Sequence, residues 1–477
     1  MKNIRIIMIG GCALIMLTCS CKKFLSIDSP SDQINTVDVY SNDETASAAI
    51  RGIYSQMMSN GGFASGSSSS VTLLAGRSSD DFINFTTSAL NIQFSDNNVT
   101  PVNSTLRTGL WQQPYQYIYY SNAVLENLER SPAVSSTLKH QLNGEAKFIR
   151  AFCHFYLTNL FGNVPLILTT DYRLNSIATA NTKEEIYAQI IKDLTEAKKL
   201  LSDSYPSSER IRVNKSAATA FLARVYLYNQ DWKNAETQAS EVISRTEEYK
   251  ILDDLNMVFL KTSKEAILQF AAPLALTVNT FEGARYILAG GSPSASNEVV
   301  LSNSLLDAFE PGDKRLNMWV GTFTNGATTL KYPLKYKIKS GNNPYNEYSI
   351  VLRLAEQYLI RAEACINQNR ITEGVEDLNV LRKRARALPT VDVPNPLPPI
   401  PTNISIVEAL SALEKERRIE LFSEWGHRWM DLKRTNKADI ILAPFKGLNW
   451  QGTDVLYPIP ANEILNNPNL NQNQGYE

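Results

Sequence analysis

Within LRLAEQYLIRAEACINQNRITEGVEDLNVL, residues 352–381, the apolar positions Leu352, Ala355, Leu359, Ala362 and Ile366 recur at alternating spacings of three and four. That period sets them on one face of an α-helix. Asn367-Gln368-Asn369-Arg370 interrupts the pattern with a polar turn, and Val375, Leu378 and Leu381 resume it. Two helices joined by a short polar turn make a hairpin, whose apolar face only a neighbouring unit can cover.

The same logic extends upstream. Lys215 to Tyr228 sets Ala217, Phe221, Val225 and Tyr228 on one stripe, while Ala218, Ala220 and Ala223 keep adjoining positions small enough for a partner helix to approach. Thr182 to Leu201 pairs with it, and Asp231 to Ser244 opens another unit. From Gly144 to Phe161 the stripe is Ile149, Phe152, Tyr156 and Leu160, with Gly162 and Pro165 supplying the stop. These hairpins resemble tetratricopeptide units, although no strict repeat register runs through the chain.

The predicted fold is therefore mainly α: tetratricopeptide-like helical hairpins, roughly residues 109–250 and 350–435, supporting an irregular lobe. That lobe is expected from two long loop insertions with few short strands, roughly 59–108 and 251–349, rich in Ser, Asn, Thr, Gly and aromatic residues. Loops of that length are functional or disordered. Ser65-Gly66-Ser67-Ser68-Ser69-Ser70 reads as a mobile stretch, whereas Phe82, Phe85, Phe281, Tyr286, Trp319 and Tyr332 argue for order around it. Residues 388–403, with Pro389, Pro394, Pro396, Pro398, Pro399 and Pro401, read as an extended connector, and 436–477 as a C-terminal tail.

The chain begins with Lys2 and Arg5, then an apolar run from Ile6 to Leu17 that ends at Thr18-Cys19-Ser20-Cys21. This is the layout of a secretory signal peptide over residues 1–20, too short to span a bilayer. Small residues before a cysteine resemble the lipobox of bacterial lipoproteins, and Cys21 fits it better than Cys19. An ordinary signal peptide with incidental cysteines is the alternative. A multiply acylated Cys21 would anchor residues 21–477 to a membrane.

Past Cys21 only Cys153 and Cys365 remain, both inside apolar helical patterns, so no disulfide framework is expected. Basic and acidic side chains number 47 and 48, and nothing in that balance points to nucleic acid. The three histidines, His140, His154 and His427, stand in no metal-ligand or nucleophile–base spacing. There is no Gly-rich phosphate loop and no Cys-x-x-Cys pair, so neither cofactor nor metal is expected. Glu414-Lys415-Glu416-Arg417-Arg418-Ile419-Glu420 alternates charge as a solvated helix face does. A paired-carboxylate hydrolase would need a second acid opposite Asp80-Asp81, which sequence alone does not supply.

Binding asks for less. Flat rings stack on sugar faces while Asn, Asp and Arg fix orientation, and the segments Arg77 to Asn97 and Phe281 to Tyr336 have that composition. The candidate ligand contacts are Arg77, Asp80, Asp81 and Phe82 in the first insertion, with Tyr286 and Trp319 in the second. Packing is the default role for any single aromatic among them.

Several blocks, in order, resemble the SusD/RagB family of surface lipoproteins of Bacteroidota. Cys21-Lys22-Lys23-Phe24-Leu25 resembles the acylated start. Trp111 to Asn122 looks like the first repeat helix, and Glu145 to Phe152 with Leu160-Phe161-Gly162-Asn163-Val164-Pro165 the most recognisable block. Glu416 to Leu421, His427 to Arg434 and Tyr457-Pro458-Ile459-Pro460 through Tyr476 match the late helix and tail.

The resemblance implies an outer-membrane, surface-exposed protein that binds glycans or oligosaccharides without catalysis. It also implies a partner, a SusC-like TonB-dependent outer-membrane transporter, facing the hairpins while the irregular lobe carries ligand. A peptide-binding relative, a pure scaffold and a glycoside hydrolase are the other readings. Only Cys21 carries over residue for residue.

Overall fold

The computed structural model describes residues 39–59, 62–288, 293 and 297–477. The expected signal segment, residues 1–20, and Cys21 lie outside them. Along the chain run α1 (Asp43–Met57), α2 (Val71–Ser78), β1 (Phe82–Asn84), α3 (Ala89–Ser95), a π-helical stretch (Leu106–Gln112) leading into α4 (Gln113–Arg130), and α5 (Ser136–Phe161). Then follow β2 (Val164–Pro165), α6 (Tyr172–Asn175), β3 (Ala180–Asn181), α7 (Lys183–Leu200), α8 (Lys215–Tyr228) and α9 (Trp232–Ile243). The second insertion holds β4 (Ala266–Phe270), α10 (Phe281–Tyr286), β5 (Val299–Leu301), α11 (Asn303–Leu306), α12 (Lys314–Met318), β6 (Val320–Asn325), β7 (Thr328–Pro333) and β8 (Ser349–Arg353). The chain closes with α13 (Leu354–Asn367), α14 (Ile371–Ala385), α15 (Ile406–Leu421), α16 (His427–Arg434), α17 (Ala438–Lys446) and α18 (Ala461–Asn466).

The helices stack in sequence: α4 on α5, α5 on α7, α7 on α8, α8 on α9. The array then skips the whole second insertion, because α9 packs directly on α13, which continues to α14 and α15. Local chemistry starts these helices where the period predicts. Thr182 and Glu185 form a capping box on α7, Asn214 accepts from Ala217 N on α8, and Ser405 with Glu408 caps α15. The alanines of α8 are fully buried, and Gly374 brings α14 onto α13 so closely that a Cβ there would stand 2.7 Å from Ala362 O. Two predicted boundaries differ. α5 starts at Ser136, about two turns before Gly144, and Leu352 belongs to β8 rather than to α13.

Among the described residues strands occur as two-stranded pairs. Antiparallel β4 and β8, every residue buried, clasp the two ends of the second insertion at its exit from the array. β1 pairs β5, Phe82 opposite Leu301 and Asn84 opposite Val299, so the first insertion is stitched to the second. The insertions are thus more regular than expected, carrying short helices as well as strands. The serine run is not a mobile tip either: Ser65, Ser67 and Ser70 are buried, Ser65 Oγ donates to Gly62 O at 2.7 Å, and Ser70 caps α2. The tail folds back, burying Tyr457, Ile459 and Leu470 in the main core. No described helix is long and apolar enough to cross a membrane.

The alternating charges of α15 are the largest departure from expectation. Glu416, Arg417 and Glu420 are buried, not solvated. Glu420 receives Arg353 Nη1 at 2.6 Å, Arg384 Nη2 at 2.5 Å and Arg315 Nη1 at 2.8 Å. Glu416 takes Arg315 at 2.6 Å, Glu265 takes Arg384 at 2.7 Å, and Glu424 takes Arg353 at 2.8 Å and Lys335 at 2.6 Å. Burial alone would raise the Glu420 carboxyl, but Arg384, Arg353 and Arg315 hold it well below the ordinary carboxylate range. These partners come from α12, the end of β8, α14 and the segment before β4, so the lattice is the joint between helical array and lobe.

Candidate ligand-binding site

The six residues expected to touch ligand are all buried. Arg77, in the last turn of α2, pairs with Glu298, which Asn91 also contacts. Asp80 accepts from Arg428 Nε at 2.7 Å and Arg418 Nη2 at 2.8 Å, and Asp81 accepts from Arg418 Nε at 2.9 Å. Phe82 and Tyr286 pack ring to ring at 5.8 Å. Trp319 donates its indole N–H to Leu255 O at 3.1 Å, and its ring lies under Lys335 at 4.9 Å and Arg384 at 5.4 Å. The structure thus brings five of the six together where the insertions meet, and sets Trp319 as an aromatic floor for the ionic joint. Of the six, Asp80 lines an open pocket, beside Ser304, Arg418 and Arg428, where both its carboxylate oxygens are taken by the two arginines.

What these residues support is a crown of loops. Asn279 Oδ1 accepts from Asn346 N at 2.7 Å and Glu347 N at 3.2 Å, tying residues 271–280 to residues 338–347. Gly341 N donates to Thr277 O at 2.9 Å, and Tyr345 Oη donates to Leu276 O at 2.6 Å. Lys339 Nζ bonds Asn297 Oδ1 at 3.0 Å, while Asn297 Nδ2 bonds Arg285 O at 2.9 Å. Gly283 is required beneath them, since a Cβ would stand 2.4 Å from Ile338 O. Over this frame Ser340, Asn342, Asn343 and Asn346 are exposed. Arg285 is half-buried, burial lowers its pKa, and among the described residues it has no carboxylate partner. Amides, each both donor and acceptor, on a cross-linked frame that also carries the half-buried cation Arg285 suit a ligand rich in hydroxyls.

A second open surface lies on the helical array. Trp111, Tyr115 and Tyr119, four residues apart, line a groove of about 300 Å³ closed by Pro165, Asn175, Glu463, Asn467 and Leu470. Around it Tyr172 is 76% exposed, Ile177 62% and Leu465 81%. Exposed aliphatic and aromatic side chains clustered in this way are the composition of an interaction surface. His154 and His427 are buried, and burial takes both below the ordinary imidazole pKa. Cys153 and Cys365 are buried free thiols. Among the described residues no cluster of three or more His, Cys, Asp or Glu could hold a metal.

A family model described as starch-binding associating with outer membrane matches residues 23–227, and one described as SusD family matches residues 221–476. The chain belongs to the SusD family. Members of this family are binding proteins and not enzymes. A SusD-like protein, P38, of Formosa agariphila is 25% identical over 432 residues, 80% of this chain and 82% of that protein. The starch-binding protein SusD of Bacteroides thetaiotaomicron is 25% identical over 446 residues, 73% of this chain and 75% of that protein. Among solved structures, a SusD superfamily protein from Bacteroides vulgatus superposes with TM-score 0.77 at 21% identity, covering 91% of this chain and 99% of its own. A laminarin binding SusD-like protein superposes with TM-score 0.73 at 25% identity, covering 92% and 100%.

In this SusD-family chain the quoted motif residues do structural work. Glu145 binds Arg212 at 2.5 Å, Arg150 binds Asp193 at 2.6 Å, and Glu416 and Glu420 build the ionic joint. Sequence reasoning missed Arg285, one position from the chosen Tyr286, because nothing local shows which neighbour stays in contact with water. Tyr119 was legible, four residues beyond Tyr115 on α4, which continues the π-helical stretch that carries Trp111.

Proposed function

We propose that this chain is a cell-surface nutrient-binding lipoprotein, acylated at Cys21, that captures glycans or oligosaccharides and delivers them to a SusC-like TonB-dependent outer-membrane transporter. The observation that carries the reading is the crown itself: loops cross-linked by Asn279, Asn297, Lys339 and Tyr345, a frame that carries both Arg285 and exposed amides. Its support is the family match along the chain and the binding of starch and laminarin recorded in the names of two relatives. The six buried candidates shape this crown, and the Tyr172, Ile177 and Leu465 patch beside the Trp111 groove is the surface for the transporter.

The test is calorimetric titration of the mature chain with a panel of neutral oligosaccharides, with products followed by chromatography. Saturable binding without turnover, weakened about ten-fold or more by Arg285→Ala at unchanged melting temperature, is the expected result. Product formation, or binding indifferent to Arg285, would overturn it. In the native host Cys21→Ala should leave the membrane fraction, and Ile177→Glu with Tyr172→Glu should lose co-purification with the barrel while still binding sugar.

A further inference from the structure

A further cavity on the described chain is lined by other residues than those of the crown and the Trp111 groove. It measures about 490 Å³, between the C-terminal end of α5, the first residue of α7, the end of α16 and the start of α17, with residues 452–456 closing it. Its walls carry Lys433, Lys183 and Arg434 against one acid, Asp439. Arg434 is committed to Glu363 and Asp431, and Asp439 accepts the indole N–H of Trp450 at 2.8 Å.

The two lysines are the unusual groups. Among the described residues neither has a carboxylate partner within ion-pair distance. An ammonium has three donors, yet the acceptor that Lys433 meets is Asn159 O, with the Trp429 ring 5.3 Å away. Lys183 sits at the positive end of α7, where a cation is disfavoured, over the Tyr187 ring at 5.5 Å. Burial, then the nearness of Lys183, pushes the Lys433 ammonium down to about 7. Two unpaired cations facing one hollow repel each other, and an anion entering between them would relieve that repulsion.

The rest of the lining limits what the anion belongs to. Thr158, Asn159, Asn163 and Asn436 offer hydroxyl and amide groups, and Met430, Val455 and Leu456 an apolar wall. The volume suits a small molecule, not a bare oxyanion. We infer that this cavity is a second ligand site, holding the carboxylate or sulfate of an acidic saccharide between Lys433 and Lys183. The ligand's class rests on the saccharide-binding reading above; the site does not.

The test is calorimetry on the mature chain with a trigalacturonate, a sulfated galactan trisaccharide, a neutral trisaccharide of matched size, and inorganic sulfate. Saturable binding of an acidic saccharide is expected, weakened about ten-fold or more by Lys433→Met and also reduced by Lys183→Met. Lys183 is exposed, so its variant keeps the question open to measurement even if Lys433→Met misfolds. Equal affinity for acidic and neutral sugars, or no change in either variant, would defeat the inference. Inorganic sulfate binding as tightly as the acidic saccharide would reduce the cavity to a bare anion hole and overturn the saccharide assignment. A chain that binds neutral glycans through Arg285 but no acidic one fails here alone. A chain whose acidic-sugar binding depends on Lys433, with no effect of Arg285→Ala, fails only in the crown.

Discussion

The seam between α13 and α14 and the joint beneath α15 lie side by side and are held by opposite means. The seam is Ala355, Leu359, Ala362 and Ile366 against Val375, Leu378 and Leu381, all buried. The joint is Glu416, Glu420 and Glu424 among Arg315, Arg353, Arg384 and Lys335, equally buried. Apolar contact is non-directional and tolerates small adjustments, whereas buried charges favour the structure only when every partner is present. The array can therefore vary by degrees, while the joint holds the lobe in one orientation or not at all.

The largest expected effect is at the centre of the joint. Glu420→Ala leaves three arginines buried without their shared carboxylate and should cost about 3–5 kcal/mol, read as a lower midpoint in urea unfolding. A loss below about 1 kcal/mol would mean that water reaches the joint and the contrast is false. At the seam, Gly374→Ala forces a Cβ toward Ala362 O and the Ile366 side chain and should cost about 1–3 kcal/mol. An unchanged midpoint would show that the two helices can separate freely.

The smallest effect is set by pH. Glu282, buried under the crown with Ser349 Oγ donating to it at 2.6 Å, has its carboxyl pushed up by burial to about 7 from an ordinary 4.5. A group raised on folding contributes stability that is full below its unfolded value and is lost as pH climbs through the folded one. The native chain should therefore lose on the order of 2 kcal/mol between pH 5 and pH 8 that Glu282→Gln does not lose. Parallel stability profiles for the two proteins would assign the pH dependence elsewhere.

How much of this was legible follows from the same contrast. The seam was written in spacings of three and four, which local sequence displays directly, and caps such as Thr182 and Asn214 stood at the expected positions. The joint was not, because alternating charges on α15 read alike whether they face water or arginines; Arg315 lies 105 positions from Glu420. The serine run misled because its composition hides what covers it: Ser65 and Ser70 bond carbonyls only three residues back, but the run is buried by distant groups, so close at Gly66 that a Cβ would strike Glu282. Composition picked out the two insertions that meet, and five of the six candidates come together there, but composition does not separate buried positions from exposed ones. Arg285 and Asn346 reach toward solvent while the six are buried, a difference that only the folded chain makes.

The β4–β8 clasp has an evolutionary corollary. Because α9 meets α13 as though nothing lay between them, the span inside the clasp resembles an exchangeable head on a self-contained handle. The pairing of β1 with β5 sets the condition for exchange: a graft bringing new specificity must carry the matching piece of the first insertion, or leave Phe82 to Asn84 without a neighbour.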